Sequence, residues 1–198
     1  MGLAPESAFQ FWEQRYRSNN TPWDRGASSP ALRRWLDAGA LRPCRILVPG
    51  CGRGYEVVEL SRRGFDVTAI DMSPTAVAHV RAALAGPGLT AEVLQADVFA
   101  YRPEKPFDAV YEQTCLCALV PDQWAGYARQ LADWLPEGGQ LFALLMQTGE
   151  SGGPPFHCDP RAMRDIFSSP DWMWPEEAPV TVPHPAGVTE LGYVLSRR

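Results

Sequence analysis

The sequence predicts an α/β fold, a mostly parallel sheet of seven strands with helices on both faces and an antiparallel last strand. Three observations predict it. Short apolar runs alternate with helical patterns through most of the chain, as they do in parallel sheets built from crossover units. The first run, Arg45–Val48, breaks into three glycines spaced two apart, Gly50, Gly52 and Gly54. The second run, Val67–Ile70, stops at a lone carboxylate, Asp71.

In chain order, residues from about Ser7 to Ser18 carry Phe9, Phe11, Trp12 and Tyr16 at helical spacing, an amphipathic helix with an aromatic face. Asn19–Asp24 is a loop by its turn residues, and Pro30 opens a second helix carrying Leu32, Trp35 and Leu36. Strand Arg45–Val48 is followed by a helix over Tyr55–Arg63, strand Val67–Ile70 by a helix over Pro74–Leu84. A third strand covers Ala91–Gln95 and a fourth Phe107–Tyr111. A helix over Asp122–Leu135 ends at Pro136–Gly139, and Leu141–Met146 is the fifth strand. After Gly149 the pattern changes to a Gly/Pro-rich segment and a short helix over Pro160–Phe167. Two late strands follow, Pro179–Pro183 and Leu191–Ser196; the turn residues His184–Gly187 between them suit a hairpin.

At 198 residues the chain is sized for one domain, residues 1–198. A formal net charge of -5 argues against polyanionic partners, so nucleic acid is not expected. No apolar run approaches the ~20 residues of a membrane span. The segment Met1–Ser7 has neither a basic start nor an apolar core, and Glu6 stands where N-myristoylation wants Ser or Thr. Five cysteines (Cys44, Cys51, Cys115, Cys117 and Cys158) form no CxxC pair, which fits reduced thiols in a cytoplasmic protein. His79, His157 and His184 show no metal-ligand spacing, so no metal is expected.

The glycine loop and the acid about 20 residues on suit an adenosine-type cofactor. Glycine lets the backbone turn at positive φ and approach a ligand closely, and one carboxylate can accept both ribose hydroxyls. The loop is GxGxG, whereas the nicotinamide and flavin fingerprint is GxGxxG. No second domain or Tyr–Lys pair offers dehydrogenase chemistry. The remaining large class on this architecture is the S-adenosylmethionine-dependent methyltransferases.

Specific segments sharpen that reading. Phe11–Tyr16, Thr21–Asp24, Val48–Gly52, Ala96–Phe99, Phe107–Tyr111 and Gly152–Phe156 together resemble the thiopurine S-methyltransferase family over most of the chain. Thr114–Leu119 and Gly152–Phe156 are most similar to its thiol, thiocyanate and halide branch. The resemblance implies a Rossmann-like class I methyltransferase, a single domain in which residues 1–25 form an aromatic lid. Trp12, Tyr16 and Trp23 match lid positions over the cofactor, Gly50 and Gly52 the loop beside its methionine part, and Asp71 and the adjoining Met72 its ribose. Asp97 and Val98 match the adenine contacts. Gln113 falls where the thiopurine enzymes carry Arg and the thiol and halide branch carries Tyr. Trp23, Pro155, Phe156 and His157 fall in the acceptor pocket.

A sulfonium cation is attracted to aromatic faces by about 0.5–2 kcal/mol per contact, and Trp12 and Tyr16 stand one helical turn apart. Methyl transfer needs mainly alignment, worth about 7–11 kcal/mol, and a soft sulfur or halide nucleophile requires no dedicated base. Candidate catalytic groups are His157, which could orient or deprotonate a thiol, and Glu112, which could act as a carboxylate catalyst or anchor the cofactor's amino group. Cys115 and Cys117 alternate in an apolar segment and read as buried small hydrophobes. The expected reaction is methyl transfer from S-adenosyl-L-methionine to sulfur of a small molecule, leaving S-adenosyl-L-homocysteine. The alternatives are transfer to oxygen, nitrogen or halide on a small metabolite, or a non-catalytic cofactor-binding protein. A monomer is the expected state.

Overall fold

A computed structural model describes residues 5–168, 170–185 and 187–198. Residues 1–4, on which the N-terminal processing and acylation readings rest, lie outside the described residues. The chain divides after Tyr101 into two compact units.

The first unit contains α1 (Pro5–Arg17), α2 (Pro30–Asp37), β1 (Arg45–Pro49), α3 (Tyr55–Arg62), β2 (Asp66–Asp71), α4 (Pro74–Ala85) and β3 (Glu92–Gln95). Its strands run parallel in the order β3-β2-β1. Proline opens α2 and α4, where a missing N–H costs nothing, and a serine caps each: Ser29 Oγ accepts from Ala31 N and Ser73 Oγ from Ala76 N. Helices α3 and α4 pack on β2, and α1 packs on α4. Leu32, Ile46, Leu47, Leu60 and Ile70 are fully buried. The register decides where chemistry can sit. Pro49 pairs with Ile70 and Asp71 with Gln95, so Gly50, Asp71 and Asp97 gather at the carboxyl ends of the strands, the usual ligand edge of such sheets.

The second unit contains β4 (Ala109–Gln113), a single 3-10 turn (Leu116–Ala118), α5 (Pro121–Trp134), β5 (Gln140–Gln147), α6 (Pro160–Ile166), β6 (Trp172–Met173), β7 (Val180–Pro183) and β8 (Thr189–Arg197). β4 and β5 are parallel, and β8 runs antiparallel to β5 from Gln140↔Ser196 to Gln147↔Thr189. β7 and β6 pair antiparallel with opposite ends of β8. Six of the eight β5 residues are buried, which is why its sequence reads as a continuous apolar run rather than an alternation. Tyr111, Tyr127, Trp134, Phe142 and Phe167 fill this unit's core.

The α/β class, the antiparallel last strand and the hairpin are as expected, with His184 N donating to Val188 O across the hairpin (2.8 Å). Two details differ. The described residues form eight strands where seven are expected: Trp172–Met173 adds a strand too short to show any periodicity, held by two residues of β8. The fourth strand starts two residues later than expected, because Phe107 N donates to Trp134 O (2.8 Å) rather than to the ladder. At its other end the strand continues through Glu112 and Gln113, which pair with Ala143 and Leu144 of β5.

Gly54 lies at φ 76°, and a Cβ added there would come within 2.7 Å of Val80 Cγ2. The approach of α3 to α4 by itself requires a glycine there. Gly54→Ala is expected to cost about 1–2 kcal/mol for the left-handed backbone and about 1–3 kcal/mol more for overpacking. Val80→Ala should relieve only the second part. The double variant is then less destabilised than the sum of the single variants by about 1–2 kcal/mol in urea unfolding. Strict additivity would mean that Val80 does not impose the glycine.

Candidate functional site

In the first unit the site grows from the end of β1. Cys51 N donates to Ile70 O (3.0 Å), carrying the ladder one step past the strand, and the chain then turns through Gly50 and Gly52 at φ 59° and 52°. Gly52 N donates to Asp71 Oδ2 and Ser73 N to Asp71 Oδ1, both at 2.9 Å. Asp71 is 6% exposed. Burial pushes its carboxyl up to about 6, with Glu13 adding in the same direction and the two backbone bonds opposing. Each oxygen takes one backbone donor and keeps a further lone pair. The carboxylate can accept two more donors, which fits the vicinal hydroxyls of a ribose.

Tyr16 closes over this loop. It is 7% exposed, and its hydroxyl sits where a Cβ on Gly52 would approach to 2.8 Å. The glycine is thus needed by a protein side chain as well as by the turn. Burial raises the phenol's pKa, and Asp71 and Cys51 raise it further. Trp23 meets Tyr16 edge-to-face at 6.1 Å and Trp12 at 5.5 Å, and Phe11 meets Trp12 at 4.9 Å. Trp12 and Trp23 are half-buried. Phe11, Trp12 and Tyr16 of the aromatic face expected of the first helix therefore join Trp23 in one cluster.

Three polar side chains that sequence reasoning missed, Glu13, Arg53 and Tyr55, fasten the segment carrying that cluster. Glu13 accepts from Ser73 Oγ (2.6 Å), Thr75 Oγ1 (2.7 Å) and Thr75 N (3.3 Å). Arg53, inside the glycine loop, pairs with Asp24 (3.1 Å) and also donates to Asn19 and Thr21. Tyr55 OH reaches Asp24 at 3.4 Å. Glu13 stands 60 residues from Ser73 and Arg53 29 from Asp24, too far apart for local patterns to link them.

The expected adenine-side residues follow β3. Asp97 Oδ1 accepts from Phe99 N (2.8 Å), and Asp97 O accepts from Ala100 N and Tyr101 N. Asp97 is half-buried and Val98 buried. Met72, half-buried, accepts Gln95 Nε2 at its carbonyl (3.3 Å).

In the second unit, β4 ends on two polar residues with different fates. Glu112 is 1% exposed; Oε1 accepts from Leu116 N (2.6 Å) and Oε2 has no hydrogen-bond partner. Burial pushes its carboxyl up to about 8, and the Leu116 bond opposes this while Glu190 adds to it. Glu112 is therefore neutral at pH 7. Gln113 is held at both ends of its amide: Oε1 accepts from Tyr111 OH (2.8 Å) and Nε2 donates to both oxygens of buried Glu190 (3.2 Å each). Thr114 then turns at φ 64°, costly for a β-branched residue. Its hydroxyl donates to Gln113 O (2.6 Å).

The Gly152–His157 segment is anchored to the same turn, with Phe156 N donating to Cys117 O (2.7 Å). The Phe156 ring folds onto Gly153, where a Cβ would lie 2.5 Å from Cγ. Phe156 and His157 are half-buried and Pro155 is exposed. His157 Nδ1 accepts from Gly149 N (3.2 Å), which assigns the neutral ring's proton to Nε2. Cys115 and Cys117 are buried as expected. Burial pushes the Cys117 thiol well up and that of Cys158 up to about 12, so neither is a thiolate at neutral pH.

The family model described as thiopurine S-methyltransferase matches residues 7–179. The chain belongs to the thiopurine S-methyltransferase family. Thiocyanate methyltransferase 1 of Arabidopsis thaliana is 30% identical over 91% of this chain and 82% of its own length. A thiopurine S-methyltransferase of Pseudomonas putida strain GB-1 is 31% identical over 84% of each chain. Among solved structures, the 1,6-didemethyltoxoflavin N1-methyltransferase of Burkholderia thailandensis superposes with a TM-score of 0.77 at 22% identity, covering 98% of this chain and 91% of that one; the likeness shows a shared class I fold. This family member is an S-adenosylmethionine-dependent methyltransferase, as the sequence led us to expect. No described helix is long and apolar enough to cross a membrane, and no described group of side chains could hold a metal ion.

Glu112 gives this methyltransferase a testable pH signature. Its folded value near 8 lies above the ordinary 4.5, so the folded chain keeps a proton that the unfolded chain releases. Stability attributable to this group is full below pH 4.5, falls by at most about 1.4 kcal/mol per pH unit as pH rises toward 8, and is lost beyond it. Glu112→Gln should match the parent in urea unfolding near pH 4 and exceed it at pH 8.5. Equal stability at both pH values would refute a buried neutral acid.

Proposed function

We propose that the enzyme transfers the methyl group of S-adenosylmethionine to the sulfur of a small molecule, a thiopurine, aryl thiol or thiocyanate, by in-line attack. The observation that carries the proposal is the state of the groups at the end of β4. Glu112 is a neutral acid and Cys117 and Cys158 are protonated thiols at pH 7, so none of them is an ionised base or a competing nucleophile. A soft nucleophile that arrives as an anion, or ionises readily, needs no such base. The names of the relatives, a thiocyanate methyltransferase and a thiopurine S-methyltransferase, support sulfur as the acceptor atom.

The bound cofactor supplies an activated methyl on a sulfonium. In this reading Asp71 accepts the ribose hydroxyls, with Met72 beside it, and Gly50 and Gly52 let backbone approach the methionine portion. Asp97 and Val98 flank the adenine, and Gln113 contributes at the end of β4 as a fixed polar group rather than a mobile one. Trp12, Tyr16 and Trp23 offer ring faces to positive charge. Trp23, Pro155, Phe156 and His157 contact the acceptor, where His157 Nε2–H can donate a hydrogen bond. Residues 1–25 act as a lid on a single methyltransferase domain, and the family match across residues 7–179 supports that unity. The five cysteines form no disulfide, which supports a cytoplasmic, reducing location, and the enzyme acts as a monomer.

Two measurements test this. A panel of aryl thiols, thiopurines, thiocyanate, iodide, amines and alcohols, assayed for release of S-adenosylhomocysteine, should show turnover with sulfur acceptors; turnover confined to amines, alcohols or iodide would refute the assignment. Calorimetric titration with S-adenosylhomocysteine reads Asp71 directly. The carboxylate must be ionised to accept two hydroxyls, and its midpoint lies near 6. Affinity should be flat above about pH 7 and fall by up to about tenfold per unit below 6. Asp71→Asn should bind more weakly at pH 7.5, by about 1–3 kcal/mol, and lose that inflection. An unchanged affinity in Asp71→Asn would place the ribose elsewhere.

A further inference from the structure

We infer that Glu13 is a positioning residue for methyl transfer, a latch that holds α1 against the β2–α4 turn and sets how long the cofactor stays bound. The inference rests on reading Asp71 as the ribose ligand. Glu13 lies on α1 between Trp12 and Tyr16, the two aromatic residues of that helix proposed to meet the cofactor. Its carboxylate bonds both side chains that open α4, Ser73 and Thr75, together with the Thr75 backbone N–H.

Those partners tie Glu13 to the ribose carboxylate. Ser73 donates its hydroxyl to Glu13 and its backbone N–H to Asp71 Oδ1. The other Asp71 oxygen accepts from Gly52, the residue against which the Tyr16 hydroxyl is packed. Glu13 and Tyr16 stand three residues apart on one helical face. They grip the loop–acid pair from both ends, Glu13 through Ser73 and Tyr16 through Gly52. A polar latch whose partners are an N-cap serine and a second-position threonine can open without exposing core, because α4 keeps its own cap through Ser73 Oγ and Ala76 N (3.1 Å). The chemistry needs such a latch: ring faces help a sulfonium only while held in place, and charged bonds to the buried Ser73 hydroxyl and the half-buried Thr75 hydroxyl are strong enough to bias the helix yet reversible.

The test uses Glu13→Gln, Glu13→Ala and Thr75→Val, the last nearly isosteric and lacking only the hydroxyl donor. Dissociation of S-adenosylhomocysteine is followed by stopped-flow tryptophan fluorescence, since Trp12 and Trp23 sit in the moving segment. Steady-state KM for S-adenosylmethionine and kcat are measured with whichever acceptor the panel identifies. The latch predicts dissociation about tenfold faster in Glu13→Ala, KM raised by a similar factor, kcat at saturating cofactor within about twofold of the parent, and a smaller effect of the same pattern in Thr75→Val. Glu13→Ala combined with Thr75→Val should be no worse than Glu13→Ala alone. A merely structural role would lower the unfolding midpoint without separating KM from kcat. Parent-like dissociation in Glu13→Ala and Thr75→Val, with Asp71→Asn still weakened, overturns the latch and leaves the ribose assignment standing. Faster release at Glu13 with no effect at Asp71 keeps the latch and removes the ribose assignment.

Discussion

The first unit depends on one carboxylate. Asp71 takes a backbone N–H from the glycine loop on one oxygen and a backbone N–H from the start of α4 on the other. Its burial would be prohibitive without those donors, and the loop would have no fixed shape without the acid. Everything proposed for cofactor recognition, from the turn at Gly50 to the packing of Tyr16, presupposes that this clasp is closed before a ligand arrives. Preorganisation of this kind moves the ordering cost from binding to folding.

The same clasp explains why the aromatic segment is not a free tail. Hydrophobic contact alone would let α1 slide, since edge-to-face ring pairs are worth only about 0.5–1.5 kcal/mol and tolerate several geometries. The Glu13 bonds and the Arg53–Asp24 pair add direction. Each is individually modest at half-exposed positions. Together they fix both the helix and the loop that follows it, and so the one orientation in which Trp12, Tyr16 and Trp23 form a single cluster.

Much of this was legible in the sequence. The strand–glycine–helix–acid order, the proline-initiated helices and the late hairpin are local signals, and each emerged within a residue or two of its expected place. What escaped was long-range. Nothing near Gly52 or Gly54 announces that Tyr16 and Val80 occupy the space of their missing side chains. Both glycines looked like ligand-driven choices, yet part of their necessity is internal packing. Glu13 shows no role in its local sequence because its partners Ser73 and Thr75 lie some 60 residues on. Gln113 appeared only as a departure from the family, and its actual constraint, Glu190, is 77 residues away. The two-residue strand at Trp172 has no period to read.

Asp71 and Glu112 show why residue type alone could not assign roles. Both are buried carboxyls at the carboxyl ends of parallel strands, and both are shifted upward by burial. Asp71 has a backbone donor on each oxygen and settles near 6, ionised at neutral pH and able to accept further hydrogen bonds. Glu112 has one oxygen unsatisfied and Glu190 nearby, settles near 8, and remains a neutral acid. Backbone donors to both oxygens of one acid, but not of the other, thus separate an acceptor of hydroxyls from a group that keeps its proton. On the proposed reading, Asp71 supplies the charge that accepts the ribose hydroxyls, while Glu112 keeps its proton and adds none at the end of β4.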